Sequence, residues 1–158
     1  MRETRGEMRE ARGEMSDTKD EKQETRLAAF TTFEEMAAWQ KARELTRRIY
    51  SITTRDKFRR DFGLVDQIRR ASVSVMSNIA EGFERRGSKE FAFFLSVAKG
   101  SVGEVRAQLY VAMDQGYLDK LTFGELCLLT TDTGRLIGGL ARYLRQKEAA
   151  RSAKREAR

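Results

Sequence analysis

Eight basic side chains, Arg47, Arg48, Arg55, Lys57, Arg59, Arg60, Arg69 and Arg70, crowd into 24 residues and face only three carboxylates, Asp56, Asp61 and Asp66. A second group, Arg85, Arg86 and Lys89, follows in the next loop. Arginine predominates over lysine in both. Its planar guanidinium donates in a fixed fork that fits two phosphate oxygens at once, whereas an ammonium acts as a point charge. The chemistry offered is recognition of phosphate, and the polyanion that suits such clusters is the backbone of RNA or DNA. No RNA-binding aromatic motif, zinc finger or recognition helix accompanies them, so binding should be electrostatic and low in sequence specificity. The plainer alternative is a solvated charged face whose charges serve solubility.

The 158 residues carry a formal net charge of +7. Residues 30–147 hold 20 basic and 14 acidic side chains, residues 1–29 hold 7 and 8, and residues 148–158 hold 4 and 2. The positive excess thus belongs mainly to the middle of the chain, where a fold can give it fixed geometry.

Catalytic chemistry finds little material. The chain has no histidine, which removes the commonest general base and the Glu-x-x-His ligand sets of di-iron bundles. No glycine-rich phosphate loop is present. Glu81, Glu84, Glu90 and Glu104 flank the middle of the chain, and a Mg²⁺ site needs only oxygen ligands. Service as caps and arginine partners is the simpler use of these carboxylates. The expectation is a non-enzymatic protein with no cofactor and no metal site. The single cysteine, Cys127, excludes an internal disulfide framework and reads as a small buried hydrophobe. No apolar run approaches a membrane span, and the charged N-terminus lacks the apolar core of a signal peptide. The expected location is cytoplasmic, with no membrane partner.

The elements that must position the arginines follow from apolar spacing. Leu64, Ile68, Ala71, Val75 and Ile79 recur at three and four residues, as do Phe91, Leu95, Ala98, Val102, Val105 and Leu109. That period marks amphipathic helices. A first helix follows a capping box, Thr32-Phe33-Glu34-Glu35, and runs to about residue 54 with Ala38, Ala42, Leu45, Ile49 and Ile52 on one face. The second spans about 61–80 or slightly beyond, and the third about 89–115. A second capping box, Thr122-Phe123-Gly124-Glu125, opens a fourth that runs to about 147 with Leu126, Leu129, Thr133, Leu136, Ile137, Leu140 and Leu144. Gly82 and Gly87 mark the break between the second and third helices, where Ser88 can cap. Short connections favour an all-α, antiparallel, up-down-up-down four-helix bundle over residues 30–147. Residues 148–158 form a basic tail. Residues 1–29 form a charged extension whose first 21 residues repeat with period seven. Only methionine is apolar there, so no seam exists to bury, and disorder is expected.

Two features bear on assembly. Ser74, Asn78 and Glu81 fall at i, i+4 and i+7 on one helical stripe, where a polar seam residue can fix register or association state. Gly100, Ser101 and Gly103 in the third helix, with Gly134, Gly138 and Gly139 in the fourth, suggest close backbone approach, either within the bundle or between subunits. Each mid-helix glycine costs about 1 kcal/mol relative to alanine.

Trp39-Gln40-Lys41-Ala42, Gly63-Leu64, Gln67-Ile68-Arg69-Arg70-Ala71, Ser74, Asn78-Ile79-Ala80-Glu81-Gly82, Glu90-Phe91, Phe94-Leu95, Ala98 and Gly100-Ser101 resemble the signature of a bacterial family. Its four-helix-bundle proteins are encoded in intervening sequences of large-subunit ribosomal RNA genes. The resemblance covers roughly residues 33–144. More distantly, the chain is similar to the accessory variability-determinant proteins of diversity-generating retroelements, which bind nucleic acid and a reverse transcriptase as pentameric barrels. The resemblance implies a ring-shaped homo-oligomer, most simply a pentamer. It also implies structural or assembly roles for Trp39, Ser74, Asn78, Glu81, Gly82, Gly100 and Ser101, and RNA, DNA and a reverse transcriptase as partners. It speaks to the fold more than to the activity. Where the family usually has prolines, this chain has Arg59 or Arg60 and Met76, so its second helix should be straighter.

Overall fold

The structure, a computed structural model, describes residues 30–55, 57–85 and 87–157. The N-terminal repeat, Asp56 and Arg86 lie outside the described residues. Phe33 onward forms one compact unit. Its elements are α1 (Ala37–Thr53), α2 (Phe62–Glu84), α3 (Ser88–Asp114) and α4 (Lys120–Glu156), with 3₁₀ turns at Phe33–Glu35 and Phe58–Arg60. No strand occurs among the described residues. Each helix packs on its neighbours in sequence, and α1 closes the bundle against α4.

The apolar stripes are buried as their spacing requires. Leu45, Ile49, Ile68, Val75, Val105, Leu109, Leu126 and Ile137 are fully enclosed between the four helices. Leu136, expected on the inner face of the fourth helix, is instead exposed, since the adjacent Ile137 takes the inward position. Cys127 is half-buried rather than enclosed. Burial raises its thiol pKa, and Arg106 partly offsets that.

The helix ends differ from expectation in instructive ways. The first box does not cap an α-helix: Phe33–Glu35 turn as 3₁₀, and Met36 becomes the N-cap without a side-chain bond. Met36 is almost wholly buried, so packing sets this entry. Phe33 meets Trp39 edge-on at 5.2 Å, and the Arg43 guanidinium lies 5.9 Å from the Trp39 ring centre. Likewise α4 starts a turn before the second box. Asp119 caps it, accepting from the Thr122 amide at 2.8 Å and the Thr122 hydroxyl at 2.9 Å. Those bonds hold the Asp119 carboxyl below its usual pKa. Glu125 is thereby released to pair with Arg48 of α1. At its other end α4 continues past residue 147 to Glu156, because nothing between Glu148 and Arg155 breaks a helix.

Gly82 does not end α2. It lies in the last turn, two residues before the end, where a Cβ would come within 2.7 Å of Phe91 Cδ2 and 2.8 Å of Phe94 Cβ. Its role is to let α3 approach. At the end of α3, Gly116 takes φ 70°, the Tyr117 amide donates to the Ala112 carbonyl, and the Gly116 amide donates to that of Met113. This is a Schellman stop that only glycine adopts without cost.

Candidate nucleic-acid interface

One end of the bundle is built by two turns that lock together. Phe58, in the turn from α1 to α2, stacks on Tyr117 from the turn between α3 and α4, with ring centres 5.0 Å apart. The Tyr117 hydroxyl donates to Asp61 Oδ2 at 3.1 Å, while Asp61 Oδ1 accepts the Leu64 amide at 3.1 Å as the cap of α2. Partial burial first, and the Asp61 carboxylate second, raise the Tyr117 hydroxyl pKa. Phe58 is buried and Asp61 is occupied, and the other described side chains from Arg55 to Arg60 face water.

Those side chains are Arg55, Lys57, Arg59 and Arg60, all exposed. None has an ion-pair partner among the described residues. Arg47, on α1, is exposed and likewise unpaired. Phe62, the first residue of α2 and not among the site residues expected from the sequence, is 80% exposed beside them in the chain. A flat apolar ring next to guanidinium groups is what base stacking requires, and an aromatic directly after Arg59-Arg60-Asp61 was the available signal.

The rest of the first cluster is engaged. Arg69 donates through Nε to Thr53 Oγ1 at 2.8 Å and lies 4.7 Å from the Tyr50 ring centre, joining α2 to α1. Arg70 stands 3.6 Å from Asp66 one turn away, with both side chains exposed. Arg48 pairs with Glu125. The second group lies at the opposite end of α2, about 33 Å away for a helix of this length. There Arg85 pairs with Glu81 at 2.7 Å and covers the Phe94 ring at 5.0 Å. Lys89 is exposed. Arg86 falls outside the described residues. The two groups are therefore separate surfaces.

The residues assigned to assembly are also partly turned inward. Ser74 and Ser101 meet at 2.9 Å between α2 and α3, and Asn78 Nδ2 donates to the Ser74 carbonyl at 2.8 Å and hydroxyl at 3.0 Å. Gly100 is exposed, with nothing within 4 Å of a Cβ placed there. Among the described residues no cluster of three or more cysteines and carboxylates could hold a metal, and no helix is long and apolar enough to cross a membrane.

A further basic surface joins residues that sequence spacing keeps apart. Lys99 and Arg106 on α3 and Arg142 and Arg145 on α4 line a furrow between those helices. They were missed because no two of them are neighbours in the chain.

The sequence pattern of the 23S rRNA-intervening sequence proteins matches residues 34–139, about two thirds of the chain. The chain belongs to the 23S rRNA-intervening sequence protein family. A crystal structure of a protein of unknown function from the S23 ribosomal protein family of Bacteroides thetaiotaomicron superposes with a TM-score of 0.62 at 19% identity. The match covers 66% of this chain and 95% of that one. At that identity the likeness speaks for the fold. Among curated proteins no relative matches.

Proposed function

We propose that this family member is a non-catalytic, basic accessory protein that binds the phosphate backbone of RNA or DNA with low sequence specificity and works as a ring-shaped homo-oligomer, a pentamer by its distant resemblance. The observation that supports this best is the cationic end of the bundle. Arg55, Lys57, Arg59 and Arg60 project from a turn pinned by Phe58 and Asp61, and no carboxylate among the described residues neutralises them. Four cations with no ion-pair partner among the described residues, carried on one turn, raise the local positive potential. An exposed Phe62 adds a surface for an unstacked base.

The test replaces Arg55, Arg59 and Arg60 together with glutamine. RNA and DNA binding should weaken alike, and the plot of log affinity against log salt should flatten by about 0.7 to 0.9 per lost contact. Fold should persist, because exposed, unpaired charges contribute little to stability. Unchanged affinity and slope would remove this end of the bundle from the interface.

A second reading is a protein-interaction scaffold, with a reverse transcriptase as one candidate partner. It draws on exposed apolar side chains, Phe93, Leu121 and Leu128, each more than 60% exposed. Apolar docking would depend little on salt, which separates it from phosphate binding.

A further inference from the structure

Gly100, Gly103 and Gly139 sit mid-helix on the facing surfaces of α3 and α4, and a Cβ at any of them would meet nothing within 4 Å. Gly134 and Gly138 complete the row, with nearest neighbours at ordinary contact distance, Val102 Cγ1 at 3.7 Å and Lys99 Nζ at 3.4 Å. Mid-helix glycine is less favourable than alanine. Close helix packing explains Gly82 but explains none of these five. What their missing side chains do is keep a furrow open. Two hollows of about 370 and 430 Å³ share Lys99, Gly138 and Arg142 and so form one channel between the helices.

The walls of that channel are cationic. Lys99, Arg106, Arg135, Arg142 and Arg145 line it, and among the described residues no carboxylate does so. Lys99, Arg106 and Arg142 have no ion-pair partner among the described residues. Arg135 reaches Asp132 only at 3.9 Å, and Arg145 donates to a neutral hydroxyl, that of Ser96. Lys99 and Arg106 are seven residues apart on α3, as are Arg135 and Arg142 on α4. Seven residues are nearly two turns, about 10.5 Å, so each pair stays on one side of its helix. The cations make two rails beside a floor in which glycines stand among small and apolar side chains, with the end of the Lys99 side chain lying over Gly138.

We propose that this furrow seats the sugar-phosphate backbone of a single nucleic-acid strand, a site distinct from the cationic end of the bundle. The inference rests on the nucleic-acid reading above and adds the face and the strandedness. Packed helices lie with axes about 8–10 Å apart, which leaves room for one extended chain between the rails and too little for a duplex. Flexible lysine and arginine heads on both walls contact phosphates, and the glycine floor lets the chain approach the helix backbones.

The test uses the full chain, an oligouridylate of about 16 nucleotides and a duplex of the same length, with affinities measured across a salt series. Gly103→Leu with Gly139→Leu fills the furrow and leaves every charge in place. Lys99→Gln with Arg106→Gln and Arg142→Gln leaves the furrow open and removes the three cations that have no ion-pair partner among the described residues. Both variants should lose single-strand affinity by about tenfold or more, and the charge variant should flatten the log–log salt slope by about 2. Duplex binding should change less than single-strand binding. If the unaltered protein binds no nucleic acid, the function reading fails and this site with it. If it binds and both variants bind like it, the furrow assignment fails while the function reading stands. Loss of oligomer mass in the glycine variant with affinity unchanged would make the furrow a subunit contact and overturn the proposal.

Discussion

Ser74 on α2 and Ser101 on α3 face each other hydroxyl to hydroxyl at 2.9 Å where the two helices pack. Asn78 donates to Ser74, and Ser101 also bonds the Val97 carbonyl of its own helix at 3.3 Å. The pair is thus one link in a short polar chain that fixes the register of the two helices. The polar stripe visible in the sequence acts first within the subunit.

A double-mutant cycle on Ser74→Ala and Ser101→Ala should therefore show coupling of about 0.5–1.5 kcal/mol in urea unfolding, the net worth of one intramolecular hydrogen bond. Additive single effects would mean that the two hydroxyls are satisfied separately.

Glycine substitutions should split by location. Gly82→Ala forces a Cβ against Phe91 and Phe94 and should cost about 1–3 kcal/mol. Gly139→Ala meets open space and should stabilise by up to about 1 kcal/mol. Thermal unfolding of the two variants checks both signs at once.

The two locked turns should loosen in alkali. The Tyr117 hydroxyl has its pKa raised in the folded state, chiefly by burial and then by Asp61. Folding thus favours its protonated form. The associated stability is present below the ordinary tyrosine value of about 10 and is lost as pH rises through the raised one. The urea midpoint should fall as pH rises above about 10, and Tyr117→Phe should fall less over that range.

How much of this could be read in the sequence differs by element. Three- and four-residue spacing placed Leu45, Ile68, Val105 and Leu126 in the core, because a helix has one inward face and these chose it. Helix ends were less legible. Thr32 and Thr122 each begin a well-formed capping pattern, yet Met36 and Asp119 are the caps. Tertiary packing decides in the first case and a competing nearby carboxylate in the second. The arginine cluster was visible as a run, but the partners that occupy Arg48 and Arg69 come from α4 and α1, and no local pattern foretells them. The glycines of the α3–α4 furrow stood out in the sequence as sites of close approach, but the cations beside them did not, since those meet only in the register of two helices.

Assembly is open to direct measurement. Light scattering should give a mass several times 18.2 kDa that is insensitive to modest salt, and Asn78→Leu should alter that mass while helical content stays unchanged. A monomer at micromolar concentration would remove the ring and leave the bundle.

The most direct test of the central claim is the affinity of the unaltered protein for single-stranded RNA between about 50 and about 200 mM salt. Phosphate recognition by the exposed arginines predicts that log affinity falls linearly with log salt, with a slope of about −0.7 for each phosphate engaged. The absence of salt-sensitive binding to any single- or double-stranded nucleic acid at about 50 mM salt would contradict the account and leave the protein-interaction scaffold in its place.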